Sequence, residues 1–297
     1  MRVLVTGARG FVGRHLVPRL SALGATPIAV DREMDVCDPR QITAAFEEHR
    51  PDAVIHLAAQ SSDGRSRTEE ELTFRVNYMG TLSVLRAAEC CAPRARFLLV
   101  GSGAAYGPHA LGIPPRREND PLLPRSPYAR SKAAADLLGG IFQKRGLSVL
   151  RLRPFNHTGP GQSDEFAVPS FARQIAASVA SRQAARIRVG DLNAVRDWLH
   201  VDDVVDAYLA LLDPAVPIDS YNIASGRGVS ARDILHRLLE LAGVEAEIEI
   251  DPARVRPADA LIGDAQRLRE RTGWTPRRSL NETLTAVLKD WQQRVGI

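Results

Sequence analysis

Arg2-Val3-Leu4-Val5-Thr6-Gly7-Ala8-Arg9-Gly10-Phe11-Val12-Gly13 decides the fold of this 297-residue chain. Arg2–Val5 is a short apolar run of strand character. Three glycines at G-x-x-G-x-x-G spacing follow it. From His15 to Leu23 apolar residues then recur at helical intervals, at Leu16, Val17, Leu20 and Leu23. Strand, glycine-rich turn and helix, in that order, suit a dinucleotide pyrophosphate. Glycine lets the backbone approach the phosphates, and a helix start offers free N–H groups and the positive end of its dipole. The spacing departs from the usual G-x-G-x-x-G. A second apolar run, Pro27–Val30, ends at Asp31, eighteen residues past Gly13. A carboxylate there can accept hydrogen bonds from the adenosine ribose hydroxyls. The plain alternative for the glycines is a tight turn with no ligand, and Asp31 in its place argues against that.

Further along, strands and helices alternate. Strands are expected at Arg2–Val5, Pro27–Val30, Ala53–Leu57, Phe97–Val100 and Ser148–Leu152, and helices near Gly10–Leu23, Pro39–His49, Leu72–Glu89 and Pro127–Arg145. Such alternation predicts an α/β fold, a Rossmann doubly wound parallel sheet with helices on both faces. Near Pro154 the pattern becomes irregular and rich in Gly, Pro and Asn. Helices are expected at Ser170–Ser181 and Val201–Leu212, a strand returning to the sheet at Ser220–Ile223, and further helices near Ala231–Ala242 and Leu280–Arg294. Two domains follow: residues 1–165 with 195–223 for the dinucleotide, and a smaller α+β domain of residues 166–194 with 224–297.

Composition excludes several classes. The chain can bury a substantial core, and no apolar run is long enough to span a bilayer. A first strand at Arg2 leaves no room for a signal peptide. Cys37, Cys90 and Cys91 lack metal-site spacing, so no metal is expected, and reduced thiols of a cytoplasmic protein are the simplest reading. The net charge of +4 comes mainly from arginine, and no basic block is interleaved with aromatics, so neither nucleic acid nor membrane is expected as a partner.

Tyr128-Ala-Arg-Ser-Lys132 carries the chemistry. On a helix these two side chains share a face, one turn apart. An ammonium near a phenol favours the phenolate and lowers its pKa, which would let Tyr128 exchange a proton with a substrate oxygen. With five tyrosines and three lysines in the chain, chance rarely produces the pair. The plain reading is an exposed Tyr/Lys pair. Ser102 stands two residues beyond Val100, at the end of an apolar strand, where ligands of open α/β sheets bind.

Together these features resemble the extended branch of the short-chain dehydrogenase/reductase superfamily that acts on nucleotide sugars, over nearly the whole chain. The matching segments are Thr6–Gly13, His56-Leu57-Ala58-Ala59, Asn77 in Val76–Thr81, Ser102 ahead of Tyr106-Gly107, and Ser126–Lys132. The resemblance implies that Ser102, Tyr128 and Lys132 are catalytic. It implies cofactor contacts from Gly7, Gly10, Phe11, Val12, Gly13, Asp31, Arg32, Asp35, Val36, Leu57, Ala58, Ala59, Asn77, Tyr128, Lys132 and Pro154. NAD(H) is the expected cofactor, because Asp31 would repel a 2′-phosphate, while Arg9 and Arg32 leave NADP(H) open.

The segment after Ser102 discriminates within the branch. Nucleotide-sugar 4,6-dehydratases carry S-T-D-E-V-Y-G or S-T-S-E-L-Y-G there, with a glutamate to remove water. Here the matching positions are Gly103 and Ala104, which transfer no proton. The segments Arg153–Gln162, Val189–Trp198, Val201–Val205, Asp251–Asp259 and Thr272–Pro276 resemble GDP-4-keto-6-deoxy-mannose reductases. That resemblance implies substrate contacts from Ser102, Asn156, Arg196 and Arg256, the two arginines on the diphosphate, where a planar guanidinium donates two charged hydrogen bonds. For a single arginine among so many, a solvated surface charge is the plainer reading. Asp197, Asp202 and Asp203 read as helix-start carboxylates, Trp198 and Trp274 as core, and His56 as a satisfied packing residue. The expected activity is NAD(P)H-dependent reduction of the C4 ketone of a GDP-linked 4-keto-6-deoxy sugar, in a homodimer. The rivals are a nucleotide-sugar 4-epimerase with retained NAD and a non-catalytic dinucleotide-binding sensor.

Overall fold

The opening apolar run forms strand β1 (Arg2–Thr6), buried from Val3 onward. The computed structural model describes residues 1–31, 33–181, 185–255 and 258–297. After β1 come α1 (Phe11–Ala22), β2 (Thr26–Val30), α2 (Pro39–His49), β3 (Ala53–His56), short helices α3 (Asp63–Ser66) and α4 (Glu70–Phe74), a π-helical turn over Arg75–Gly80, α5 (Thr81–Cys91) and β4 (Arg96–Val100). A 3₁₀ turn over Gly103–Tyr106 leads on to α6 (Pro127–Lys144), β5 (Val149–Pro154), β6 (Asn156–Thr158), α7 (Ala167–Ser181), β7 (Ala185–Val189), β8 (Val195–His200) and α8 (Val201–Leu211). The chain ends with β9 (Ser220–Ile223), β10 (Gly228–Ser230), α9 (Ala231–Ala242), β11 (Ala246–Ile250), β12 (Ala260–Leu261), α10 (Gln266–Thr272) and α11 (Leu280–Val295).

Six strands make one parallel sheet in the order β2-β1-β3-β4-β5-β9. Alternation along β1 sends Val3 and Val5 to one face and Leu4 to the other. On the first face, Leu16 and Leu20 of α1 and Val204 and Tyr208 of α8 pack with Val5, Ile55 and Leu152. On the second, Phe46, Leu85 and Phe142, from α2, α5 and α6, pack with Leu4, Val54 and Phe97. A third core lies apart from the sheet, with Ile175, Ile187, Ile234, Leu238 and Val287 at its centre. This is the doubly wound arrangement, and the winding reverses between β1 and β3, where such sheets bind ligands.

Local chemistry sets the ends of the helices. Pro39 and Pro127 occupy first-turn positions, and the Asp38 and Ser126 side chains accept from the Arg40 and Ala129 amides at 2.9 and 3.2 Å. Ser279 and Glu282 close a reciprocal capping box on α11.

Two expectations change. The helix predicted over Leu72–Glu89 is split by the π turn, and a side chain at Gly80 would lie 2.9 Å from Val36 Cγ2. Periodicity does not reveal a single widened turn. Asp197 opens no helix: it is fully buried in β8 and accepts from Ser225 N and Oγ, Gly226 N and Gly263 N. It ties β8 to two loops, a role only tertiary structure makes visible. Asp203 does lie in the first turn of α8, where it takes the Arg277 and Arg278 amides and the Arg278 guanidinium.

Candidate active site

The glycine turn leaves β1 at Gly7, whose φ of +70° is the left-handed region that favours glycine. A Cβ at Gly7 would stand 2.9 Å from Ala58 N, and one at Gly13 would stand 2.5 Å from Gly7 O. The ends of β1 and β3 therefore touch through bare backbone, with Leu57 N donating to Thr6 O and Ala58 N to Thr6 Oγ1. No side chain caps α1, whose cap is Gly10. Its first-turn amides, from Phe11, Val12 and Gly13, form the kind of terminus that receives a pyrophosphate. The cradle fits a dinucleotide.

Asp31 follows β2, and its Oδ2 accepts from Arg9 N at 2.6 Å. The carboxylate thus lies beside the glycine turn. The Arg9 guanidinium is itself paired with Glu33, a partner that sequence reading did not name. Arg32 lies outside the described residues. Asp35 accepts from Cys37 N and pairs with Arg75 at 3.4 Å, while Val36 packs against Gly80. Ala59 is partly buried just past the end of β3.

The catalytic candidates converge at the sheet's carboxyl edge. Ser102 follows β4 and its Oγ accepts from Ala104 N at 3.1 Å. Tyr128 stands in the first turn of α6, with Ser102 close enough to its phenol to lower its titration. Lys132, one turn on, is buried and donates from Nζ to Val100 O at 2.9 Å. The expected electrostatics are corrected here. Burial pushes the Tyr128 phenol up, and Ser102 only partly offsets it. Burial also presses Lys132 down to about 8. Lys132 spends an N–H on a backbone carbonyl, and Tyr128, raised by burial, is a neutral phenol, the form that donates a proton.

Asn77, in the π turn, is buried and fully engaged. Its Oδ1 accepts from Gln60 N at 2.8 Å, and its Nδ2 donates to Gln60 O at 3.0 Å and Ser131 Oγ at 2.9 Å. Ser131 Oγ in turn donates to Tyr128 O. The Asn77 side chain holds α6 to the end of β3. Spacing did not reveal the positioning contacts of Gln60, Ser131 and Ser66, whose Oγ accepts from Tyr128 N at 3.2 Å.

Gly103 faces Phe155, whose ring would lie 3.0 Å from a Cβ at that position. Gly103 thus makes an aromatic contact and, like Ala104 beside it, carries no group that transfers a proton. Pro154 ends β5 beside Ile223. Asn156 pairs in register with Trp198 across the parallel β6–β8 pair, and Arg196 lies two residues before Trp198 on the same face of β8. Arg196 Nη1 donates to Asp259 Oδ1 at 2.7 Å and to Val195 O at 2.9 Å. Arg256 lies outside the described residues. His56 is buried between Thr6 and Thr81, and burial lowers it to about 3, so it is a neutral packing residue. Trp274 is core, with its indole N–H on Asp203 O. Among the described residues no group of His, Cys, Asp and Glu is placed to hold a metal ion.

A cradle for a dinucleotide beside a Ser–Tyr–Lys set defines the class of protein. The model of the NAD dependent epimerase/dehydratase family matches residues 3–224, and the chain belongs to that family. Within it, the chain is similar to GDP-6-deoxy-D-mannose reductase of Pseudomonas aeruginosa, with 41% identity over 302 residues, 99% of this chain and 98% of that protein. It is 29% identical to UDP-glucose 4-epimerase of Mycolicibacterium smegmatis over 99% of both. Among solved structures it is similar to RMD from Pseudomonas aeruginosa complexed with NADPH (TM-score 0.89, 39% identity, 99% of each chain). The UDP-glucose 4-epimerase of Thermotoga maritima with UDP-glucose superposes at a TM-score of 0.89 and 27% identity, over 99% of this chain and all of that one.

Proposed function

We propose that this protein is an NAD(P)H-dependent reductase of the C4 ketone of GDP-4-keto-6-deoxy-D-mannose, forming GDP-D-rhamnose or its C4 epimer. One observation carries the reading. The Ser102–Tyr128–Lys132 set is complete, while Gly103, packed on Phe155, and Ala104 leave no acid for dehydration. The 41% identity to a GDP-6-deoxy-D-mannose reductase supports it.

NAD(P)H, when bound, supplies the hydride to the carbonyl carbon. The Tyr128 hydroxyl gives its proton to the ketone oxygen as charge develops there, and Ser102 Oγ holds that oxygen beside the phenol. Lys132 stays fixed by Val100 O on the cofactor side. Gly7, Gly10 and the start of α1 (Phe11, Val12, Gly13) take the pyrophosphate, and Asp31 takes the adenosine ribose. Asp35, Val36, Leu57, Ala58, Ala59, Asn77 and Pro154 line the dinucleotide's path. Asn156 contacts the sugar, and Arg196 with Arg256 holds the diphosphate. Residues 1–165 with 195–223 serve the dinucleotide, and 166–194 with 224–297 serve the sugar nucleotide; the latter supply the third core, while their Leu261, Ala265, Leu268 and Trp274 join the core on the large sheet.

NADH is the preferred cofactor. Asp31 sits at the turn, and Glu33 already engages Arg9, the cation that would welcome a 2′-phosphate. The protein is a cytoplasmic homodimer. No helix among the described residues is long and apolar enough to cross a membrane, and Leu137 and Ile141, one turn apart on α6, are 62% and 54% exposed. The test of substrate is absorbance at the nicotinamide band with GDP-, dTDP-, UDP- and CDP-linked 4-keto-6-deoxy sugars. The GDP sugar is expected to be consumed fastest. Consumption of none of the four, with dinucleotide bound, would leave a non-catalytic sensor as the better reading.

A further inference from the structure

His15, on α1, touches two groups that accept hydrogen bonds and donate none. Its Nδ1 lies 2.8 Å from Asp202 Oδ1 and its Nε2 2.9 Å from the carbonyl of Pro160. A neutral imidazole has one N–H, and two acceptors require two. The arrangement is that of an imidazolium. The surrounding charges agree. The Asp202 hydrogen bond is the largest influence raising His15, against burial and Arg14 on its own helix. Asp202 is held low, first by His15. His200, at the head of α8, is kept neutral by burial and accepts Asp202 N–H on Nδ1. Arg278 reaches Asp202 at 3.5 Å and also pairs with Asp203 and Asp206, and Arg19 of α1 pairs with Asp206.

Pro160 belongs to the loop that runs on from β6 and Asn156. The same segment is fastened a second time to α1, where the Phe11 ring lies parallel to that of His157 with centroids 6.1 Å apart. From the other side, Asp290 of α11 accepts from Gly161 N at 3.0 Å. The loop is thus strung between the helix that starts at the phosphate turn and a helix of the third core.

We propose that His15, in its doubly protonated form, is a positioning residue. It clamps the Gly159–Gln162 loop to α1 and so sets Asn156 at its distance from the bound dinucleotide, and loss of one proton opens the clamp. This rests on the reading of Asn156 as a substrate contact. The sign follows from the direction of the shift. A histidine raised above its ordinary 6.5 is fully charged below that pH, and the clamp is lost as pH rises through the folded-state titration.

Two measurements on the full chain test it. The first is a nitrogen-15 NMR titration of histidine-labelled protein with dinucleotide bound and no sugar nucleotide, with His15→Gln used to assign the signal. Both ring nitrogens are expected to carry protons at pH 6.5, and Asp202→Asn, which leaves the ring in place, is expected to lower the midpoint. A single neutral tautomer at pH 6 overturns the proposal. The second is the KM for the sugar nucleotide against pH. In the wild type it is expected to rise about tenfold, the scale of one charge-assisted contact, through the His15 midpoint, with kcat changing less. In His15→Gln it should stay high and flat across that range. Parallel profiles for the two proteins contradict the clamp. The titration needs no sugar, so a wrong substrate leaves it intact and its failure leaves the substrate assignment standing. If His15→Gln does not fold, the wild-type and Asp202→Asn titrations still decide.

Discussion

Tyr128 is the residue on which the proposed chemistry turns. Tyr128→Phe removes the transferable proton but leaves the glycine turn untouched. Turnover should fall by about 10²- to 10⁴-fold, the usual worth of a positioned acid, while NADH affinity, measured by fluorescence titration, stays within about twofold. Wild-type turnover in the variant would remove Tyr128 as the donor. That Ser102 follows a strand and that Tyr128 and Lys132 lie one turn apart on a helix was legible, because helical spacing and strand ends are written in the sequence. Their electrostatics were not. Spacing suggests that Lys132 lowers the phenol, whereas the fold turns its ammonium to Val100 O and buries both groups, raising one and lowering the other. Desolvation depends on what covers a side chain, and no local pattern records that.

At the scale of elements, β8 joins the two halves of the site. It carries Arg196, pairs with β6 beside Asn156, and runs into the helix whose first turn holds Asp202. Arg196→Ala should raise the KM for the sugar nucleotide by about ten- to a hundredfold, for the loss of about 1.5–3 kcal/mol of charged hydrogen bonding, with kcat little changed. Affinity for the dinucleotide should be unaltered, since the proposed pyrophosphate site is the Gly7–Gly13 turn. Steady-state kinetics with each substrate varied decides, and a raised KM for the dinucleotide instead would move Arg196 out of the proposed subsite. The strongly patterned elements were legible: α2 and α9, and with them the short strand β9, begin and end where the sequence placed them. The strands from β6 to β8 and from β10 to β12 were not. They are two to six residues long, and several mix buried and exposed positions. The partners of His15 escaped for another reason: Pro160 and Asp202 lie 145 and 187 residues away along the chain.

The whole molecule sets cofactor choice, assembly and outcome. Asp31 at the turn and Glu33 on Arg9 predict a higher kcat/KM with NADH than with NADPH. The NADPH in the solved Pseudomonas aeruginosa RMD structure makes the comparison informative, and a clear NADPH preference would mean that Arg9 escapes Glu33 in the bound state. Replacing both Leu137 and Ile141 by Glu should convert a dimer to a monomer in light scattering, because two charges would enter the apolar strip on α6. An unchanged mass would place the interface elsewhere. The sheet, its winding and its ligand edge were legible from the first strand–turn–helix and the alternation that follows. The third core was anticipated as a smaller domain with its helices placed, but without the β7–β11 pair.

Reductase and epimerase relatives share this fold, and the two activities differ in whether the dinucleotide leaves oxidised. The direct measurement is stoichiometry: GDP-4-keto-6-deoxy-D-mannose is supplied in limiting amount with excess NADH, and cofactor oxidised is counted against deoxy-sugar formed. The account predicts one NADH consumed for each ketone reduced, to completion. Conversion of a GDP-hexose to its C4 epimer with tightly held NAD and no net NADH loss, alongside failure to consume the ketone, would contradict it.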